Sequence, residues 1–159
     1  MATFDAGISA DWRRYRQRCA AAEYTAQTDC TTADDYCCAS TMDCNSVLLP
    51  LINFQRAYRA GELNALMALY SSEAQENELT DWSRIRQAYA ELFQKTSVRS
   101  IHFTQVRIKS VADNIHCLAM ANYEVNYQNE QLQQITRVGL IVFLFEQQAA
   151  TFHILRMRY

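Results

Sequence analysis

Proline and glycine are nearly missing from this chain, with one proline and three glycines in 159 residues. Collagen-like repeats and flexible Gly/Ser linkers need far more of both, so neither class applies. Half of the residues are hydrophobic, which marks a globular rather than a disordered chain. A basic excess is missing too. Fifteen Lys and Arg stand against seventeen Asp and Glu, for a formal net charge of −2, and no electrostatic footprint for nucleic acid results. No apolar run approaches the roughly 20 residues needed to cross a bilayer, so no membrane span is expected. Met1 to Asp11 has neither a positive start nor an apolar core, which reads as no signal peptide and, on that ground, a cytoplasmic chain. There is no GxSxG elbow, phosphate loop, HExxH motif or dinucleotide fingerprint, and no metal or nucleotide cofactor is expected.

What is present is most regular between Arg99 and Tyr159. Along Ile115, Cys117, Ala119, Ala121, Tyr123, Val125 and Tyr127 every second residue is apolar, the period of a strand with one buried face. Leu132 to Phe145 repeats the signal and ends in a run, Leu140 to Phe145, that is apolar on both faces and asks for cover on both sides. Thr151 to Tyr159 forms a last strand, with Phe152 and Ile154 opposed to His153, Leu155 and Met157. Polar links at Asp113-Asn114, Gln128-Asn129-Glu130 and Gln147-Gln148 suit antiparallel hairpins, with Asn expected to supply the left-handed geometry that the scarce glycines cannot.

Residues 1–46 read as a cysteine-rich helical arm packing on the domain. Ser9 can cap a helix in which Trp12, Tyr15, Cys19 and Ala22 form an apolar stripe, with Arg13, Arg14, Arg16 and Arg18 on other faces. Such a basic amphipathic helix suits a membrane surface, a partner groove or, most simply, packing onto its own domain. Cys19, Cys30, Cys37, Cys38 and Cys44 follow no CxxC spacing and have no His among them, which argues against zinc. Disulfides among these five fit better and would place the chain in an exported compartment, yet five is odd. Cys117 would make the number even, but its mid-strand place on the apolar face reads as a buried free thiol.

From Val47 the pattern turns helical. Leu51, Phe54 and Tyr58, then Leu63, Leu66, Met67 and Tyr70, keep a helical rhythm broken at Ala60-Gly61, so Gly61 ends one helix and Glu62 begins the next. Glu73 to Leu79 is ambiguous between strand and loop. Thr80-Asp81 can cap a third helix presenting Ile85, Ala88, Tyr89, Leu92 and Phe93 on one face. Helices followed by a run of antiparallel strands make an α+β domain.

The series INFQRAYRAGELNALMALYSSEA, then WSRIRQAYAELF, then strands ending FHILRMRY, resembles the nuclear transport factor 2-like superfamily, which includes the SnoaL-like cyclases and ketosteroid isomerase. The resemblance covers residues 47–159. It implies a curved antiparallel sheet wrapped around three helices as a cone, a pocket at the open end, and homodimers formed through the sheet. On the isomerase pattern the base position falls on Glu78, the tyrosine donor position on Phe54 and the partner acid near Gly139. Only the first can do its part. The dehydratase and hydrolase members use His or Asp inside the cone, and His102, His116 and His153 lie here on three separate strands. Phe54, Tyr58, Met67, Tyr89 and Phe93 are expected to line or floor the pocket, which would suit a small hydrophobic ligand. Arg156 and Arg158 share one face of the last strand and could meet an acid or a neighbouring subunit. Two functions follow: a non-enzymatic ligand-binding or oligomerisation module, and an isomerase- or dehydratase-like enzyme with Glu78 or a strand histidine as base.

Overall fold

The structure, a computed structural model, describes residues 43–112 and 115–159. The expected arm helix, with Cys19, Cys30, Cys37 and Cys38, and the Asp113-Asn114 link lie outside the described residues. A 3-10 turn, Cys44–Val47, leads into α1 (Leu48–Ala60), α2 (Leu63–Met67), β1 (Tyr70–Glu76), α3 (Trp82–Lys95), β2 (Thr96–Ser110), β3 (His116–Asn129), β4 (Gln134–Gln148) and β5 (Thr151–Arg158). The strands form one open sheet in the order β1-β5-β4-β3-β2, with the helices packed on it. This is the cone-shaped α+β fold.

Local chemistry sets the helix ends. Gly61 takes φ +70°, and the N–H groups of Gly61 and Glu62 return to Tyr58 and Ala57 to close α1. Only a residue free of a Cβ does this cheaply. Asp81 caps α3 by accepting from the backbone N–H groups of Ser83 at 2.7 Å and Arg84 at 3.3 Å. Ile85 and Tyr89 are buried from that helix, while Ala88 faces solvent.

Four sequence expectations are corrected here. The sheet is mixed rather than antiparallel throughout, because β1 lies parallel to β5 and antiparallel pairing is confined to β2 to β5. Tyr70, whose spacing suits the second helix, instead opens β1, since α2 stops after five residues. The left-handed turn positions in the two described hairpins are Leu132 and Ala149, not asparagines. Asn129 acts through its side chain, accepting from the N–H groups of Gln131 and Gln133. The last strand changes phase: Leu144 pairs with Arg156 and Phe145 with Ile154, so Leu155 bulges out and Met157 joins Phe152 and Ile154 inside.

Cys117 is the fifth correction. It is not a free thiol but bonds Cys44, with Cα atoms 5.7 Å apart across 73 residues of sequence. The inward face of β3 carries Cys117 to the point where the 3-10 turn buries Cys44, a meeting that no strand pattern reveals.

At the centre of the core sits Phe54, whose ring centroid lies 6.0–6.5 Å from those of Tyr58, Tyr70, Tyr89, Phe103 and Phe143. Ala119 and Ala121 on β3 face Phe143 and Ile141 on β4, small against large. The pairing leaves room for α1 on the concave side.

Candidate functional site

β1 carries Tyr70, Ala74 and Glu76 inward, and so buries a carboxylate at its end. Glu76 is 4% exposed, one of two buried polar side chains among the described residues. Three phenols surround it. Tyr70 donates to Oε2 at 2.7 Å, while Tyr159 and Tyr89 donate to Oε1 at 2.9 Å and 3.1 Å. The Tyr70 and Tyr89 hydroxyls are 3.2 Å apart, and the Met157 Sδ lies 3.9 Å from the first.

Each donor comes from a different element. Tyr70 starts β1, Tyr89 sits one turn beyond Ile85 on α3, and Tyr159 follows β5. Asn77, at φ +48°, turns the chain just after Glu76. Its N–H donates to Met157 O at 2.9 Å and its side-chain oxygen accepts from the Tyr159 N–H at 3.0 Å. Glu76 and Asn77 together hold the last residue by hydroxyl and backbone.

Burial dominates the electrostatics. Desolvation raises the Glu76 pKa, against the opposing pull of hydrogen bonds from Tyr70, Tyr159 and Tyr89. Burial, then the nearby Glu76 charge, pushes Tyr70, Tyr89 and Tyr159 upward as well. Tyr159 is the member of the group that reaches solvent, its residue 57% exposed.

Further along the same concave face the lining turns from apolar to phenolic and cationic. The Tyr123 ring meets Tyr159 edge-on at 6.1 Å and lies against Gly139, where a Cβ would come within 2.9 Å of the ring. Burial, helped by the nearby Tyr127 and opposed by the Arg99 guanidinium, pushes the Tyr58 pKa up to about 12. The nearby Tyr127 hydroxyl helps Arg137 hold its charge.

The residues expected from sequence are distributed as follows. Phe54, Tyr58, Tyr89 and Phe93 form one connected ring cluster, with Phe93 at 5.7 Å from Tyr58 and 5.9 Å from Tyr89. Met67 is buried in the same core. Glu78 is exposed, in the turn beyond β1, and makes no part of the Glu76 cluster. His102 is exposed opposite Glu124. His116 and His153 flank Glu146 in register on the other face of the sheet, His153 lying 3.0 Å from the Thr151 hydroxyl. Arg156 is exposed and Arg158 half-buried, next to Leu144 and Val142 in register. Sequence reasoning passed over Glu76 and its partners Tyr70 and Tyr159. Parity could not have found them, because Ser71 is buried and Ser72 exposed where the register shifts within β1.

No protein-family model and no curated protein sequence matches the chain. Solved structures do. A candidate dehydratase of the nuclear transport factor 2-like family from Streptomyces avermitilis matches with TM-score 0.65 at 13% identity, over 73% of this chain and 93% of that one. A ketosteroid isomerase-like protein from Erwinia carotovora atroseptica matches with TM-score 0.61 at 12% identity, over 73% and 93%. A candidate calcium/calmodulin dependent protein kinase II association domain from Xanthomonas campestris matches with TM-score 0.62 at 10% identity, over 70% and 82%. At these identities the likeness is one of fold.

Proposed function

We propose that this chain is a non-enzymatic small-ligand-binding module built on the nuclear transport factor 2-like fold. The observation that carries the reading is the change of lining along the cone. Its centre is filled by the rings around Phe54, Tyr58 among them, while its far end presents half-buried Tyr123 and Tyr127 and exposed Tyr159. Convergent phenols beside apolar rings are what a small, partly hydrophobic ligand needs. Phe54 and Gly139 stand where the isomerase pattern wants donors and have none to offer. Glu76 already accepts from three hydroxyls, which favours holding over turnover.

Indole tests this reading with a neutral probe. Titrated into the protein, it should shift the aromatic NMR signals of Tyr58, Tyr127 and Tyr159 in a saturable way. Shifts scattered over the surface without saturation would end it.

A second copy of the chain completes the proposal. Val138 and Leu140, 70% and 60% exposed, stand on the outer face of β4 beside half-buried Val142. Contiguous apolar sheet surface of this kind suits a two-fold interface. Light scattering at micromolar concentration should report a dimer, and Leu140→Asp should return a monomer. A monomer in the unsubstituted protein removes the pairing.

A further inference from the structure

We infer that the mouth of the cone holds the charged end of a small aromatic anion, a carboxylate or phenolate, between Arg137 and Arg99 with Tyr127 standing between them. This deepens the ligand-binding reading above and rests on it. The first argument is the backbone of β2. Ser97 pairs with Gln128 and Ser100 with Asn126, so Val98 and Arg99 together oppose Tyr127 in a bulge. Val98 has φ +46°, a left-handed conformation that strains a β-branched residue. Bulges commonly serve to re-aim a side chain, and this one turns Arg99 toward α3 and Gly61.

Arg99 is then held in place without being neutralised. Its guanidinium lies 5.0 Å over the Phe93 ring, and a side-chain carbon on Gly61 would run into it. Nη1 donates to the carbonyls of Phe93, at 3.2 Å, and Thr96. Nε is buried with no hydrogen-bond partner. Among the described residues the ion pair is Lys95 with Glu91 at 3.6 Å, and neither Arg99 nor Arg137 belongs to it.

Arg137 approaches from the other side. It pairs in register with Val125 while Tyr127 pairs with Ile135, so Tyr127 and Arg137 share the inward row of β3 and β4. Tyr127 lies in electrostatic reach of Arg137. By register, then, Arg99 on β2 and Arg137 on β4 stand on either side of Tyr127 on β3, and among the described residues no ion pair includes either arginine. Glu76, deeper in the cone, is engaged by its three hydroxyls. The half-buried Tyr123 ring gives a flat wall that an aromatic ligand can stack on.

Calorimetric titration near pH 7 and low salt with benzoate, 4-hydroxybenzoate and benzamide tests the inference. The two anions should bind about tenfold tighter than the neutral amide, as one charge-assisted pair would give. Added salt should narrow the gap. Arg137→Gln, at an exposed position, should abolish the preference while circular dichroism stays unchanged. Benzamide binding as tightly as benzoate, or a preference that survives in Arg137→Gln, overturns the anion site and leaves the ligand-binding reading standing. Failure of all three probes, together with failure of indole, overturns both.

Discussion

The two ends of the concave face of β3 are built from different chemistry. At one end Cys117, Ala119 and Ala121 are buried against Phe145, Phe143 and Ile141, and a disulfide ties the strand to the turn before α1. At the other, Tyr123, Val125 and Tyr127 face Gly139, Arg137 and Ile135 and are only partly buried. Both stretches have the same two-residue period, and both are apolar by composition. What separates them is what the facing strand brings: large hydrocarbons seal the first, while a glycine and a guanidinium leave the second open and polar. A uniform strand pattern thus conceals a closed half sealed by hydrocarbon and an open half lined by polar groups.

That contrast can be broken from the closed side first. Replacing both Cys44 and Cys117 with alanine removes a cross-link spanning 73 residues, which the loop-entropy relation values at about 4 kcal/mol. The denaturation midpoint should fall accordingly, while the indole response at the open end survives in the folded protein. An unchanged midpoint would show that the bond carries no stability.

Between the two halves, Glu76 and Glu78 sharpen the comparison, being two residues apart and opposite in environment. Glu76→Ala strips the acceptor from the buried Tyr70 and Tyr89 hydroxyls and should cost about 2 kcal/mol. Glu78→Ala, on an exposed turn, should stay within about 0.5 kcal/mol in the same denaturant titration. Equal effects would erase the distinction. The pH dependence has a definite sign. The folded-state pKa of Glu76 is raised by burial, so its contribution is fully present below the ordinary value of 4.5 and is lost as pH rises through the raised one. Glu76→Gln should flatten that decline.

Much of the fold is legible in the residues. Gly61 announces the end of α1, Asp81 the start of α3, and the alternation from Cys117 to Tyr127 the concave face of β3, whereas Ile115 precedes the strand and is exposed. The site was legible only in part. Tyr58, Tyr89 and Phe93 were marked as lining by their helical spacing, and they do converge. Glu78 was marked by an aligned pattern, whereas the buried carboxylate is Glu76, because a strand buries every second residue and β1 is too short for its phase to be read unaided. Met157 was placed on the wrong face because one bulged residue inverts all that follow it.

The chain by itself determined that helices and a long-stranded sheet would pack through one apolar face, since periodicity and capping act over three or four neighbouring residues. Only the tertiary structure decided that Glu76 meets Tyr159, that Cys44 meets Cys117 and that Arg99 and Arg137 flank Tyr127. Those meetings depend on sheet order, register and two bulges, which join residues far apart in sequence and leave no local trace.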